Sequence, residues 1–459
     1  MTSDYTERFT SLIMDIMAKN KVLGLSVSVV KGSETIFERG FGYRNLEQLL
    51  PMTENTLVGI GSVSKSFTAT AILQLQEQGL LNIEDPIIKY FPWFPQNPAK
   101  PIKIKHLLSH STGFPALDGS LIEYLHHEKR HIDFTPVTSR KDLEWYIRQA
   151  EKERLYDPGK QFFYNNDMYI LLSYLIEDLT RMKFVNYMRK NILDPLGMKR
   201  SCYLLEDLKN DPLKDCSTGY SIKNKEAVPS FHLHSEFLHG GGGILSSAHE
   251  MTNYMRFILQ KGKFSDTRLI QTQTAELLWN PILKCPYSYK REGFYGLGWV
   301  IENKFGTIVI NHGGGLSSST CALSILPEKQ IGVFSIENDP NQFCKFAVDA
   351  ILAILTGNDP EDLPYFKYRE LVELVEGTYK SYRGVYSLKI ELKDPLLMAH
   401  LEIDDGEFDV PITVRDSDKL IFTIPAGFPE EQQIIQFIKD KETNKVTHAT
   451  YDRYLYHRV

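Results

Sequence analysis

The sequence predicts an α+β protein made of an antiparallel sheet with a helical insertion, followed by a small antiparallel β-barrel. Three observations support this class. Strand-like alternation occurs near residues 23–43 and again near 295–336, the region 80–290 between them is helical with Pro and Gly punctuation, and short alternating segments follow residue 377. We therefore expect two domains, residues 1–364 and residues 365–459.

The amino-terminal elements are a helix, a hairpin and a second helix. Apolar residues at helical spacing predict a helix over Tyr5–Lys19, and alternation about a Lys-Gly-Ser-Glu turn predicts strands Leu23–Val30 and Thr35–Tyr43. A second helix is predicted over Ser62–Gln78, because its apolar residues share one face and Gly79 follows its end.

A second group of strands follows the helical insertion. The sequence predicts strands at Tyr295–Ile301, Thr307–Ile310, Cys321–Ile325 and Ile331–Ile336, and then a helix at Phe343–Leu355. The simplest arrangement is one antiparallel sheet built from both ends of this domain, with the terminal helices packed against it.

The carboxyl-terminal segment has a different character. Tyr365–Val375 is a linker or a flanking helix, and the apolar residues then alternate in four short stretches separated by turns. These stretches are Leu388–Leu392, Leu397–Ile403, Val410–Val414 and Leu420–Ile424. Strict alternation at this spacing predicts a small all-β barrel or sandwich of about 90 residues. Of the two we expect the antiparallel barrel, of the lipocalin-like kind.

Composition excludes several classes of function. The 459 residues carry 52 Lys and Arg against 58 Asp and Glu, a net charge of −6, which argues against a nucleic-acid partner. The five cysteines form no CxxC pair, so a cysteine-rich zinc module is excluded. No run approaches 18 apolar residues, so we expect no membrane span, and the absence of a signal-like start predicts a cytoplasmic protein.

The strongest candidate for chemistry is a serine followed by a lysine one helical turn later. Ser62 stands at a helix start, and Lys65 falls on the same face. A lysine that is buried, or that lies near another cation, gives up its proton more readily and can accept the proton of a serine. The plainer interpretation is a capping serine with a surface lysine.

Two further motifs could complete such a site. In the turn after Pro158, Tyr164 and Asn166 could bring a phenol and an amide into a cleft, although a packed Tyr and a turn Asn would look the same. After the strand Thr307–Ile310, His312 precedes Gly314 and Gly315, and glycines let a substrate approach while free N–H groups stabilise an oxyanion. The plainer interpretation of this third motif is a loop.

Taken in this order, SxxK, YxN and HxG resemble the penicillin-recognising serine hydrolase superfamily. The flanking segments strengthen the resemblance over roughly residues 10–355, namely Ile104–Gly113, Gly241–Ser247 and Tyr295–Trp299. They resemble the class C β-lactamase and D-aminopeptidase branch, the CubicO group. With its added barrel, the chain looks most like the archaeal self-compartmentalising CubicO-type serine peptidases, which implies a β-lactamase/transpeptidase-like fold and a homo-oligomer that could enclose a compartment.

The resemblance implies a role for each motif residue. Ser62 would be the nucleophile, Lys65 and Tyr164 the proton-transfer pair, and Asn166 a residue that orients the substrate and Lys65. Which of the pair accepts the serine proton stays open. His312 and Gly314 would bind the substrate. The backbone N–H groups of Ser62 and Gly315 would form the oxyanion hole.

One departure bears on the substrate, because His312 stands where β-lactamases carry the lysine of KTG. A neutral imidazole binds a carboxylate less strongly than an ammonium does, which disfavours β-lactamase activity. We expect a peptidase or amidase acting on small peptides, including those with D-amino acids. The alternatives are a carboxylesterase of the same fold and a non-catalytic binding or scaffold protein.

No metal or other cofactor is expected. His127–His131 matches HExxH, but the Lys and Arg inside it and the nearby Pro136 are unlike the long helix of a zinc protease.

Overall fold

The computed structural model describes residues 2–95, 97–116, 119, 137–203, 205–223, 226–230, 235–286, 293–393, 396–403, 406–424 and 433–459. They form two compact units, Met1–Gly357 and Asn358–Val459. Among these residues, no helix combines the length and apolar composition needed to cross a bilayer.

The helices of the described residues lie mostly in the first unit. They span Thr2–Asn20, Ser64–Glu77, Ile104–Leu108, Arg140–Ala150, Asn166–Thr180, Phe184–Met188, Leu205–Lys209, Glu236–Gly242, Ala248–Leu259, Thr272–Leu277, Cys344–Thr356 and Pro364–Val375. Short 3₁₀ turns occur at Gly61–Val63, Ile87–Lys89, Glu151–Glu153, Pro360–Asp362 and Tyr382–Gly384, and one π-helical turn at Arg189–Leu193.

The strands are numbered β1 to β24 in chain order. In the first unit they are β1 Gly24–Lys31, β2 Glu34–Asn45, β3 Leu50–Pro51, β4 Val58–Gly59, β5 Gly219–Lys223, β6 Glu226–Ser230, β7 Leu245–Ser246, β8 Lys263–Phe264, β9 Thr267–Arg268, β10 Leu283–Cys285, β11 Gly293–Tyr295, β12 Val300–Lys304, β13 Thr307–Leu316, β14 Ser319–Leu326 and β15 Ile331–Glu337. In the second unit they are β16 Gly377–Lys380, β17 Ser387–Lys393, β18 Leu396–Ile403, β19 Gly406–Pro411, β20 Thr413–Asp416, β21 Ile421–Ile424, β22 Gln433–Lys439, β23 Val446–Tyr451 and β24 Tyr454–Arg458.

The main sheet of the first unit joins strands from both ends of that unit, as predicted. Its order is β10-β11-β12-β13-β14-β15-β1-β2-β3, and β1 pairs antiparallel with β15, with Lys31 opposite Ile331. Every residue of β1 except the last is buried, because helices cover both faces at this point. The Ala248–Leu259 helix contacts β1 and β15, while the Cys344–Thr356 helix contacts β14, β15 and the Thr2–Asn20 helix.

A buried helix carries the first motif into the centre of the unit. In the Ser64–Glu77 helix, every residue from Ser64 to Leu75 is buried, and these residues include several with Ser, Thr or Gln side chains. A helix that is buried all round is surrounded by other elements rather than packed on one side. Polar side chains on its first turn are therefore held away from bulk water.

Two predicted strand boundaries in the first unit were wrong. Tyr295–Ile301 is not one strand, because residues 296–299 form the turn between β11 and β12, with Gly298 at a left-handed φ of +78°. The apolar residues of this turn are buried and so imitate strand alternation. The strand predicted to end at Ile310 instead continues as β13 to Leu316 and includes the HxG motif, which is therefore not a loop.

The second unit is a nearly closed antiparallel barrel. Its sheet order is β19-β18-β17-β16-β24-β23-β22-β21-β20, and the two end strands are joined in the chain by Ile412 alone, so the sheet must curl round on itself. The prediction of one strand over Val410–Val414 was wrong, because β19 ends at Pro411 and β20 begins at Thr413. The N–H of Ile412, between them, donates to the carbonyl of Leu397. The predicted α+β class with an added barrel is confirmed.

Candidate active site

The SxxK motif forms a compact serine–lysine contact. Ser62 lies in the 3₁₀ turn Gly61–Val63 that leads into the Ser64–Glu77 helix, and it is half-buried. Because Lys65 follows one turn later, its Nζ lies 3.0 Å from Ser62 Oγ. Ser62 as a residue is partly exposed, whereas Lys65 is fully buried.

Lys65 is held by groups from three separate segments. Its Nζ donates to Ser62 Oγ, to Asn166 Oδ1 at 2.7 Å and to the carbonyl oxygen of Gly241 at 2.7 Å. These three acceptors match the three N–H donors of an ammonium. A Cβ at Gly241 would lie 3.4 Å from Lys65 Nζ, at the edge of ordinary van der Waals contact. The geometry therefore fixes both the position and the direction of the lysine.

The YxN motif lies against the same amine. Asn166 is the first residue of the Asn166–Thr180 helix, and the preceding Asn165 caps this helix by accepting the N–H of Met168. Tyr164 is half-buried, and its ring centroid lies 4.8 Å from Lys65 Nζ. The structure thus brings Ser62, Lys65, Tyr164 and Asn166 together from two helix starts.

His312 lies in the wall of the site as a neutral ring. Its Nδ1 lies 2.6 Å from the carbonyl of Gly313, which can only accept, so Nδ1 carries the hydrogen. Its Nε2 lies 3.0 Å from Tyr295 Oη and therefore accepts the tyrosine O–H. Burial, together with the charge of Lys65, lowers the pKa of His312 to about 4. At neutral pH this residue supplies no positive charge.

The HxG glycines bring β13 against the turn that holds Ser62. Gly61 has a left-handed φ of +47°, and a Cβ on it would lie 2.7 Å from the backbone nitrogen of Gly315. A Cβ at Gly314 would lie 2.0 Å from the carbonyl oxygen of Ile60. Only glycine permits these approaches. The backbone of Gly315 therefore lies next to that of Gly61, the residue that precedes Ser62.

Two contacts were not foreseen from the sequence. The Gly241 carbonyl that accepts from Lys65 and the Tyr295 hydroxyl that donates to His312 belong to segments that contributed only to the family resemblance. A backbone carbonyl carries no residue signature. The Tyr295–His312 pair depends on strand pairing across the sheet, which local spacing does not reveal.

No metal centre accompanies this site in the described part of the chain. Within the ranges given above, no group of three or more His, Cys, Asp or Glu side chains is arranged to hold a metal ion. The HExxH match at His127–His131 lies outside the described residues.

Comparison with known proteins supports the assignment of both units. The Beta-lactamase family model matches residues 9–356, and the Pab87 octamerisation domain model matches residues 360–457. The structure of the octameric penicillin-binding protein homologue from Pyrococcus abyssi superposes with a TM-score of 0.87 at 29% identity, covering 98% of this chain and 99% of that one. A crystal structure of SurE, at 19% identity and a TM-score of 0.61, shares the fold.

Curated relatives are more distant in sequence. Penicillin-binding protein 4* of Bacillus subtilis is 22% identical over 79% of each chain. Protein flp of Staphylococcus aureus strain MW2 is 24% identical over 74% of this chain, and the match spans 64% of the Staphylococcus protein. Since one family model covers most of its length, the chain belongs to the Beta-lactamase family, within the penicillin-recognising serine hydrolases of the CubicO type that its motifs resemble.

Proposed function

We propose that the protein is a serine hydrolase that forms an acyl-enzyme on Ser62. The observation that carries this proposal is the fully buried Lys65, whose Nζ contacts Ser62 Oγ at 3.0 Å while Asn166 and Gly241 fix its direction. Burial favours the neutral form of an amine. After losing one proton, the Lys65 amine keeps two N–H groups for Asn166 and Gly241, and its lone pair faces Ser62 Oγ and can accept the hydroxyl proton. A surface lysine beside a capping serine would be neither buried nor held in one direction.

The proposed reaction has two steps. Ser62 Oγ attacks the substrate carbonyl carbon as its proton passes to the Lys65 amine or to the ionised Tyr164 phenol. The N–H groups of Ser62 and Gly315 stabilise the oxyanion. The leaving amine or alcohol then departs with a proton from the same pair, and water hydrolyses the ester on Ser62 to regenerate the hydroxyl.

The proposed substrates are small peptides and amides, including those with D-amino acids, and Asn166, His312 and Gly314 would line the substrate site. The neutral, hydrogen-bonded His312 supports substrates that do not rely on a cation at this position. A carboxylesterase is the second candidate, because the same serine–lysine contact serves esters. Matched ester and amide substrates in D and L forms distinguish the two.

A fluorophosphonate probe tests the proposal on the full chain. The tryptic peptide that ends at Lys65 contains two serines, Ser62 and Ser64, so fragment ions must place the adduct on the first. We expect one adduct, on Ser62. A protein that is folded and does not react, or that reacts only at another serine, would contradict the mechanism.

The neutral His312 gives a prediction for penicillins. A charge-assisted hydrogen bond from an ammonium to the penicillin carboxylate contributes about 1.5–3 kcal/mol, or roughly 10- to 100-fold in rate. Since the pKa of His312 is about 4, we expect benzylpenicillin and its methyl ester to acylate Ser62 within about threefold of each other. The ratio should stay constant from pH 5.5 to 8, as followed by mass spectrometry. A strong preference for the acid would show that another cation binds it.

We also propose that the protein is a homo-oligomer assembled through its barrel, which would enclose the active sites in a compartment. The octamerisation-domain match and the octameric homologue support this. The outer face of β22 and β24 supports it as well, because Ile434, Ile438 and Leu455 are 42%, 40% and 55% exposed. The proposed location is the cytoplasm, in line with five cysteines that form no disulfide.

Light scattering tests the assembly. The full chain should have a mass that is a multiple of 52.8 kDa. Ile438→Glu with Leu455→Glu should reduce this mass, whereas Glu442→Lys in the nearby exposed turn should not. Turnover of a small ester should stay within about tenfold in all three proteins, because the proposed catalytic groups belong to the first unit. A monomeric wild-type chain would overturn the proposal.

A further inference from the structure

A buried histidine outside the three motifs accepts hydrogen bonds from the residues on both sides of Tyr164. His110 follows the Ile104–Leu108 helix, adopts a left-handed φ of +55° and is fully buried. Its carbonyl oxygen accepts the N–H of Phe163 at 2.9 Å, and its Nδ1 accepts the N–H of Asn165 at 3.0 Å. The backbone on each side of the tyrosine is thus hydrogen-bonded to one residue.

The ring of His110 also packs against the tyrosine itself. The centroids of the His110 and Tyr164 rings lie 4.1 Å apart. Phe162, Tyr169 and Tyr295 surround the same imidazole at centroid distances of 5.8, 5.2 and 4.9 Å. The tyrosine is therefore fixed by two backbone hydrogen bonds and by ring contact.

The contacts of His110 define its protonation. Because Nδ1 accepts the N–H of Asn165, the hydrogen of the neutral ring lies on Nε2. Within the described ranges Nε2 is buried and has no hydrogen-bond partner. Burial is the larger cause and the charge of Lys65 the smaller, and together they hold the pKa of His110 well below its ordinary value. Nδ1 therefore stays unprotonated, and able to accept the N–H of Asn165, at pH values near neutral.

We propose that His110 is a positioning residue that fixes Tyr164 against Lys65 through its Nδ1 and its carbonyl oxygen. This inference rests on the proposed function, since it assigns His110 to the proton-transfer pair of that reaction. A residue used only to fill the core does not require an unfavourable backbone conformation or an unpartnered buried Nε2. An apolar side chain would fill the same space without either cost.

Three substitutions separate the positioning role from simple packing. Asn places an oxygen close to the position of His Nδ1 and tolerates a left-handed φ, whereas Gln places its amide nearer to Nε2. His110→Asn and His110→Gln thus differ by one methylene and in the position of the acceptor. His110→Leu keeps apolar volume and removes the acceptor. His106→Leu is the matched control, because His106 is also buried and its Nδ1 accepts the N–H of Lys103, within its own helix cap.

The first readout is turnover of a small ester by the full chain. We expect His110→Gln and His110→Leu to lower kcat at least about 30-fold, with KM within about threefold, since misplaced catalytic groups lose rate rather than binding. His110→Asn and His106→Leu should keep kcat within about fivefold. If thermal melting shows that the Asn and Gln variants are both folded, equal kcat values for the two would overturn the inference. This comparison remains decisive where the Leu variant does not fold.

The second readout does not depend on activity. Hydrogen–deuterium exchange of a peptide covering residues 162–167 reports the N–H groups of Phe163 and Asn165. Exchange should accelerate in the Gln variant and stay near wild type in the Asn variant, and equal protection in both would overturn the inference. A wild-type chain that shows this protection pattern but neither hydrolyses esters nor reacts at Ser62 would refute the proposed function, while the fixing of Tyr164 would stand.

Discussion

Replacing Ser62 by alanine is expected to lower kcat/KM for a small ester or amide at least about 10⁴-fold, because the attacking oxygen is lost. Ser62 is half-buried and lies in a 3₁₀ turn, so its removal leaves no large cavity. The variant should melt within a few degrees of wild type. Steady-state kinetics with one ester and one amide measure the loss.

Ser64→Ala is the control for this substitution. Ser64 lies two residues further on, and its hydroxyl accepts the N–H of Ile244. Its loss should cost stability rather than turnover, with activity within about tenfold of wild type. Near-wild-type hydrolysis by a folded Ser62→Ala protein would exclude Ser62 as the nucleophile. A loss in Ser64→Ala as large as that in Ser62→Ala would assign the effect to the turn and not to the hydroxyl.

The parts of the fold with local signals were predicted from the sequence. The Thr2–Asn20 and Ser64–Glu77 helices and the hairpin β1–β2 have clear periodicity, and the predicted elements lie within a few residues of the observed ones. The extension of β13 through Gly313–Gly315 was not predicted, because glycine has low strand propensity. Pairing with β14 overrides that propensity. The opposite error occurred at residues 296–299, where buried apolar side chains in a turn look like a strand.

The candidate site shows the same limit. Ser62 and Lys65 could be paired from the sequence because three residues along a helix bring side chains together. Asn166 joins them from 101 residues away, and only the family resemblance connected the two segments. His110 and Tyr295 carry no chemistry that spacing could identify. Their importance comes from which N–H and ring they face, and only the folded chain defines that.

Lys65→Met gives the second large effect. Methionine keeps much of the length and apolar volume of lysine but removes the amine that contacts Ser62, Asn166 and Gly241. We expect kcat/KM and the rate of fluorophosphonate labelling at Ser62 to fall together by at least about 10³-fold. Lys304→Met is the matched control, because Lys304 is also a buried lysine, at the end of β12, and it forms an ion pair with Asp349 of the Cys344–Thr356 helix. That variant should lose stability and keep its activity.

A double variant tests whether the serine and the lysine work as one unit. If Lys65 acts only by activating Ser62, then Ser62→Ala with Lys65→Met should be no slower than Ser62→Ala alone, because the lysine has nothing left to activate. Independent contributions would multiply, and the double variant would then be slower than Ser62→Ala by a further factor of about 10³. Multiplying losses would place Lys65 in substrate binding or in the stability of the site. Losses that do not multiply would assign it to proton transfer with Ser62, since its Nζ lies 3.0 Å from the hydroxyl that it would activate.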